Sequence, residues 1–137
     1  MSLVLDASVV LTWCFPDEQA LKAFEISERI TAGERVVVPA FWPHEVLNAL
    51  LVGEKRGRIT RQLIEAFIED LSRLPIEVDS PPSPRLIFDS LQSLCRKHVL
   101  TAYDAAYLEI AKRHGCPLAT LDNELTTAAT AERVPLL

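Results

Sequence analysis

The sequence predicts a single α/β domain, built on a parallel sheet covered by helices on both faces. Three observations predict it. Short apolar runs alternate with amphipathic stretches of helical length along the whole chain. Those short runs lack polar alternation, as strands buried on both faces require. There is no internal repeat, linker or shift in composition, so the domain is taken to span residues 1–137.

Ser2–Leu5 reads as the first strand, ending at Asp6, with an apolar helix or turn over Ala7–Phe15. Pro16, Asp17 and Glu18 open a helix to about Ala32, the acids lying where the helix dipole favours them, and Gly33 stops it. Arg35–Val38 is the second strand. A long helix follows from about Phe41 to Arg56, with Pro43 in its first turn and Gly57 as its stop. Thr60 caps the next helix, roughly 61–73, whose Leu63, Phe67, Leu71 and Leu74 recur at helical spacing. Ile76–Asp79 is a third strand. Ser80-Pro81-Pro82-Ser83-Pro84 forms the stiffest loop, and Ser83 with Pro84 starts a helix to about Lys97.

Residues 99–125 carry the densest signal. Thr101 caps a helix, with Asp104 three residues later in the capping-box position, and Gly115 and Pro117 end it. Pro117–Leu121 is a buried strand that delivers Asp122. A last helix runs from Asn123 to about Arg133, and Val134–Leu137 is a terminal strand.

Composition narrows the function. Of the 137 residues, 49% are hydrophobic and 24% charged, which fits a globular chain rather than a disordered one. No apolar run approaches the ~18 residues of a membrane span. The start is a poor signal peptide, because it lacks a basic region and holds Asp6 within its apolar run. Three cysteines without CxxC spacing read as reduced thiols, so the expected location is cytoplasmic. A net charge of −5 argues against a general nucleic-acid coat protein but not against an enzyme acting on phosphodiesters. His44, His98 and His114 show no zinc spacing.

Four acids stand alone in apolar sequence: Asp6, Glu45, Asp104 and Asp122. Each taken singly has a plain reading, as a turn residue, a cap or a first-turn acid. As a set they fall at strand ends and helix starts, where ligands of open α/β sheets bind. Converging carboxylates repel one another, and a hard cation such as Mg²⁺ or Mn²⁺ relieves that repulsion. Ser8, Thr120 and Asn48 are placed to orient a carboxylate. Lys55, Arg56, Arg58 and Arg61 form the only dense basic patch, either a solvated helix end or a phosphate-backbone contact. Trp13, Trp42, Phe15 and Phe41 read as core or interface, and Tyr103 and Tyr107 as one packed helix face.

The segments LVLDASVVLTW, PAFWPHEVLNALL, LTAYDAAYLEIAKRHG and LATLDNEL together resemble PIN-domain ribonucleases, most closely the VapC-type toxins of toxin–antitoxin pairs. The resemblance implies a five-stranded parallel sheet in the order 3-2-1-4-5. It implies an endoribonuclease dependent on Mg²⁺ or Mn²⁺, in which metal-activated water leaves a 3′-hydroxyl and a 5′-phosphate. Asp6, Glu45, Asp104 and Asp122 fall on the family's acidic quartet, and Ser8 and Thr120 on its supporting hydroxyls. It also implies an RNA substrate, a homodimer and a cognate antitoxin, with operator DNA bound only through that antitoxin. The apolar faces of the 7–32 and 41–74 helices are the expected partner surfaces. Two other readings stand beside it. One is a catalytically silent PIN-like module that binds protein or RNA. The other is a receiver-like or phosphatase-like domain, disfavoured because no second acid adjoins Asp6 and no DxDxT run is present.

Overall fold

The computed structural model describes residues 1–81 and 83–137. Its elements are β1 (Ser2–Leu5), α1 (Ala7–Cys14), α2 (Ala20–Thr31), β2 (Arg35–Val38), α3 (Trp42–Lys55) and α4 (Arg61–Ser72). They continue as β3 (Ile76–Val78), α5 (Pro84–His98), α6 (Ala102–His114), β4 (Leu118–Ala119) and α7 (Asn123–Ala131). Pro82 of the proline-rich loop lies outside the described residues.

The sheet is parallel in the order β3-β2-β1-β4, with Val4 level with Val37 and Leu5 level with Ala119. Leu3, Val4 and Leu5 point to alternate faces and all are fully buried, so helices cover both sides of β1. The order agrees with expectation over four strands, but the fifth strand is not formed. Val134–Leu137 makes only a single parallel bridge, Leu118 to Leu136. Two features explain this: β4 offers just two residues to pair with, and Pro135 has no N–H for a longer ladder.

Local chemistry sets the helix starts. Thr60, Ser83, Thr101 and Asp122 each accept a backbone N–H with their own side chains, from Leu63, Leu86, Asp104 and Leu125. Helix α2 starts later than its acids suggest. Asp17 instead accepts the Gln19 N–H at 2.8 Å, a turn that holds Asp17 and Glu18 outside the helix. α5 ends at Val99, which adopts the left-handed conformation with φ 55°, and Gly115 does the same after α6 at φ 65°. Glycine takes that shape freely, whereas branched Val99 takes it at a cost.

α6 is the central helix. Ala105, Tyr107, Leu108, Ile110 and Ala111 are buried, and the helix packs on β1, β2 and β4 while touching α5 and α7. α1 packs between α2 and α3. Trp13 ties it down by donating its indole N–H to the Ala23 carbonyl at 2.7 Å. Phe15 lies against Gly53 of α3, where a Cβ would fall 2.7 Å from the ring, so a larger residue there would require the ring to shift. Cys14, Cys95 and Cys116 are free thiols. Among the described residues, no helix is long and apolar enough to cross a membrane.

Candidate active site

The carboxyl ends of β1 and β4 adjoin, and the site is built outward from them. Asp6 directly follows β1, and its N–H donates to the Ala119 carbonyl at 2.9 Å, which extends the β1–β4 ladder by one step. Its side chain is buried, 6% exposed. Two hydroxyls donate to the same oxygen, Oδ2: Thr120 Oγ1 at 2.7 Å and Ser8 Oγ at 2.8 Å. Each hydroxyl in turn accepts a backbone N–H at 3.1 Å, Thr120 from Asp122 and Ser8 from Leu121. One lone pair of each is thereby engaged, and their protons are directed at Asp6.

Asp122 caps α7, its Oδ1 accepting the Leu125 N–H at 2.9 Å. The plain reading of Asp122 as a cap therefore holds, and the cap bond uses only one of its two carboxylate oxygens. Asp104 sits in the first turn of α6 and is half-buried. The Thr101 hydroxyl accepts the Asp104 N–H at 3.1 Å, which is one half of a capping box. Among the described residues the other half, a bond from the Asp104 carboxylate back to the Thr101 N–H, is absent. Glu45 lies in the first turn of α3, and its Oε1 accepts the Tyr107 hydroxyl at 3.1 Å.

The electrostatics tie the four acids together. Burial raises the Asp6 carboxyl above its ordinary range; the Thr120 and Ser8 hydroxyls oppose the rise, and the charge of Asp122 adds to it. Glu45 is raised by burial and by the charges of Asp6 and Asp104, against the hydrogen bond from Tyr107. Asp104 is raised by burial, then by Asp122 and Asp6; the Thr101 hydroxyl opposes the rise and Glu124 adds a further push. Each of these three carboxyls is thus raised in part by the charge of another acid of the set. None of them has a Lys, Arg or His partner among the described residues.

A hard divalent cation fits this donor set, which consists of carboxylate oxygens with no base to neutralise them. Among the described residues no three of these side chains close into a ready-made metal grip. Ligation therefore requires the more exposed Asp104, Glu45 or Asp122 side chains to turn inward, since Asp6 is fixed by its two hydroxyls.

The remaining expected site residues sort themselves by position. Asn48 is exposed on α3 and makes no hydrogen bond to Glu45, whose bond comes from Tyr107 instead. Of the basic patch, Arg58 lays its guanidinium over the Phe15 ring at 4.5 Å and Arg61 pairs with Glu65. Lys55 and Arg56 are exposed. Tyr103 and Tyr107 do not share one packed face: Tyr103 is 64% exposed, whereas Tyr107 is fully buried. Both set their rings edge-on to Phe41, at 5.1 and 5.9 Å. Sequence reasoning does not single out two neighbours of the acids, Tyr107, which bonds Glu45, and Glu124, whose charge adds to the rise of Asp104. The available signal for Tyr107 is its place one turn after Asp104 on α6, and for Glu124 its place two residues after Asp122.

The chain and its fold have known counterparts. The PIN domain profile matches residues 3–131. Ribonuclease VapC3 of Pyrobaculum aerophilum is 28% identical over 137 residues, covering 100% of this chain and 98% of that protein. The crystal structure of PAE2754 from Pyrobaculum aerophilum superposes with a TM-score of 0.70 at 21% identity, covering 93% of this chain and 84% of that one. VapBC2 of Rickettsia felis, bound to a DNA fragment from their promoter, gives 0.65 at 11% identity, covering 100% and 98%. FitAcB of Neisseria gonorrhoeae gives 0.64 at 19% identity, covering 98% and 96%. At these identities the structural likenesses speak for the fold. With a profile match across nearly its whole length, and four lone acids at the carboxyl ends of a parallel sheet, the chain belongs to the PIN-domain family.

Proposed function

We propose that the chain, a single PIN domain over residues 1–137, is an Mg²⁺- or Mn²⁺-dependent endoribonuclease and the toxin of a VapBC-type toxin–antitoxin pair. The observation that carries this reading is a contrast in charge compensation. Of the three buried carboxylates among the described residues, Asp79 and Glu109 are both bonded to Arg113, whereas Asp6 is held by the Thr120 and Ser8 hydroxyls and has no Lys, Arg or His partner. Uncompensated charge at the mouth of a sheet is costly unless a cation completes it.

Asp6, Glu45, Asp104 and Asp122 would hold the ion. When bound, a divalent cation stabilises the charge that develops on a phosphodiester and makes water a stronger nucleophile. The chain's own residues supply the rest. Ser8 and Thr120 fix the Asp6 carboxylate through Oδ2, the one oxygen to which both hydroxyls donate. Lys55 and Arg56, at the far end of α3 and about 16 Å from Glu45 along the helix axis, offer positive charge to the RNA backbone. Arg58 contributes less, since its guanidinium is already engaged by Phe15.

The antitoxin and dimer surfaces fall on the outer helices. Leu21, Phe24, Leu47, Leu51, Leu63 and Ile68 are exposed there, on α2, α3 and α4. The likeness of the fold to VapBC2 and FitAcB supports an antitoxin as one occupant.

The test is direct. Purified, antitoxin-free protein is incubated with total cellular RNA in Mg²⁺ or Mn²⁺, in EDTA, and beside Asp104→Asn. Discrete metal-dependent products, reduced at least about 10²–10³-fold in the variant, are the expected outcome. Absence of cleavage together with absence of Mn²⁺ binding by calorimetry would instead favour a silent binding module.

A further inference from the structure

We propose that Tyr107 is a positioning residue that holds Glu45 in the orientation from which it serves the acidic site. This inference rests on the metal-nuclease reading above and adds to it a residue outside the four acids. Glu45 stands on α3 and the other acids stand at β1, α6 and α7, so Glu45 reaches the site across a gap between elements. Its side chain has three freely turning bonds and no basic partner among the described residues. The Tyr107 hydroxyl, donating to Oε1 at 3.1 Å, is the hydrogen bond that fixes it, and it spans 62 residues of sequence.

The donor is itself immobile. Tyr107 is the largest fully buried side chain among the described residues. Phe41, immediately before α3, places its ring 5.9 Å away and at 88° to the tyrosine ring. Thus α3 supplies the acid, and the residue that leads into it supplies one wall of the slot that aims the phenol at that acid. Only Oε1 is taken, and Oε2 is left for an ion. Residues that hold a metal ligand in place are worth about 10–100-fold in metal affinity when removed.

Tyr107→Phe keeps the ring and its packing and removes only the hydroxyl. The expected result, by calorimetry on the full chain, is Mn²⁺ affinity about tenfold weaker, with an unfolding midpoint close to that of the wild type. In a Glu45→Gln background the same substitution should change Mn²⁺ affinity less than twofold, because the ligand it positions has been altered. Tyr103→Phe, an exposed phenol on the same helix, should leave affinity unchanged. Phe41→Leu, which loosens the slot but removes no polar atom, should weaken binding two- to fivefold. Equal Mn²⁺ affinity for wild type and Tyr107→Phe would overturn the positioning role while leaving the nuclease reading intact. A loss in Tyr107→Phe that persists in the Glu45→Gln background would also overturn it, assigning the effect to packing. A wild type that binds no Mn²⁺ would overturn both.

Discussion

At its first turn, α6 holds Asp104 among three other carboxylates, none of them paired with a base among the described residues. Farther along, the same helix holds Glu109, Arg113 and His114 in a closed network. Arg113 makes two hydrogen bonds to Asp79, at 3.0 and 2.6 Å, and two to Glu109, at 2.7 and 3.1 Å. His114 adds a contact to Asp79 at 2.7 Å. Nearby, Lys97, His98 and Lys112 surround Glu132 at 2.6–2.8 Å. The consequences for ionisation are opposite. Burial pushes Asp79 upward, but the hydrogen bonds and charges of Arg113 and His114 outweigh it and hold the carboxyl below its ordinary range. Lys112, Lys97 and His98 hold Glu132 down to about 2. Asp6, Glu45 and Asp104 are all raised. One end of the helix uses acids as fasteners, and the other leaves them without a basic partner among the described residues.

The sharpest break of this contrast is Arg113→Ala. It leaves Asp79, whose side chain is 5% exposed, with His114 alone and strips Glu109 of its arginine, and should destabilise the fold by about 2–3 kcal/mol, lowering Tm by roughly 6–12 °C. An unchanged melting curve would show that the network fastens nothing.

The second experiment supplies a cation. Mn²⁺ at tenfold its Kd should stabilise the wild type by about 1.4 kcal/mol, roughly 5 °C, and Asp104→Asn much less. An equal shift in both would place the ion elsewhere.

The third relieves the repulsion without any ion. A folded-state pKa raised above the unfolded value gives stability that is full at low pH and lost as pH rises through the folded value. The acidic site is therefore a burden near neutral pH. Asp104→Asn should melt about 2–4 °C higher than wild type at pH 7 without metal, and the gain should vanish near pH 3. Glu132 runs the other way: its contribution is present above the ordinary glutamate range and is lost as pH falls towards about 2. A gain in Asp104→Asn that grows on acidification would mean that the charge of Asp104 does not burden the fold.

The smallest effect concerns the basic patch. Arg56→Ala should leave Tm unchanged and weaken RNA binding a fewfold at low salt, with the slope of log K against log salt reduced by about 0.7. A constant slope would remove Arg56 from the backbone contact.

What the sequence makes legible follows from what burial forbids. A carboxylate alone in an apolar run has few stable fates, so Asp6, Glu45, Asp104 and Asp122 stand out. Ser8 and Thr120 are legible for a related reason, since a buried acid needs donors close in the chain or in the sheet. The role of Tyr107 is not legible, because a buried tyrosine on a helix face is ordinary core until a partner 62 residues away is placed beside its hydroxyl. Asp104 is ambiguous for the same reason, since a capping box and a site acid share one spacing, and the sequence does not say whether its carboxylate bonds back to the Thr101 N–H. Asn48 shows the converse error: helical spacing from Glu45 puts it near the acid in sequence, while α3 turns it to solvent. The terminal strand fails because strand length depends on the neighbour, and β4 is two residues long.

That short terminal bridge has a bearing on how the protein survives at high concentration. A sheet edge with free N–H and C=O groups invites another chain to add a strand. At the β4 edge, Leu118 donates its N–H to the Pro135 carbonyl at 2.9 Å and accepts the Leu137 N–H at 3.1 Å. Both groups that an incoming strand would seek are already taken, and Pro135 presents no N–H of its own. At the opposite edge, β3 carries the exposed charge of Glu77. Too short to extend the sheet, the last residues act as a guard against aggregation, and truncating them would open the edge that lies closest to the acidic site.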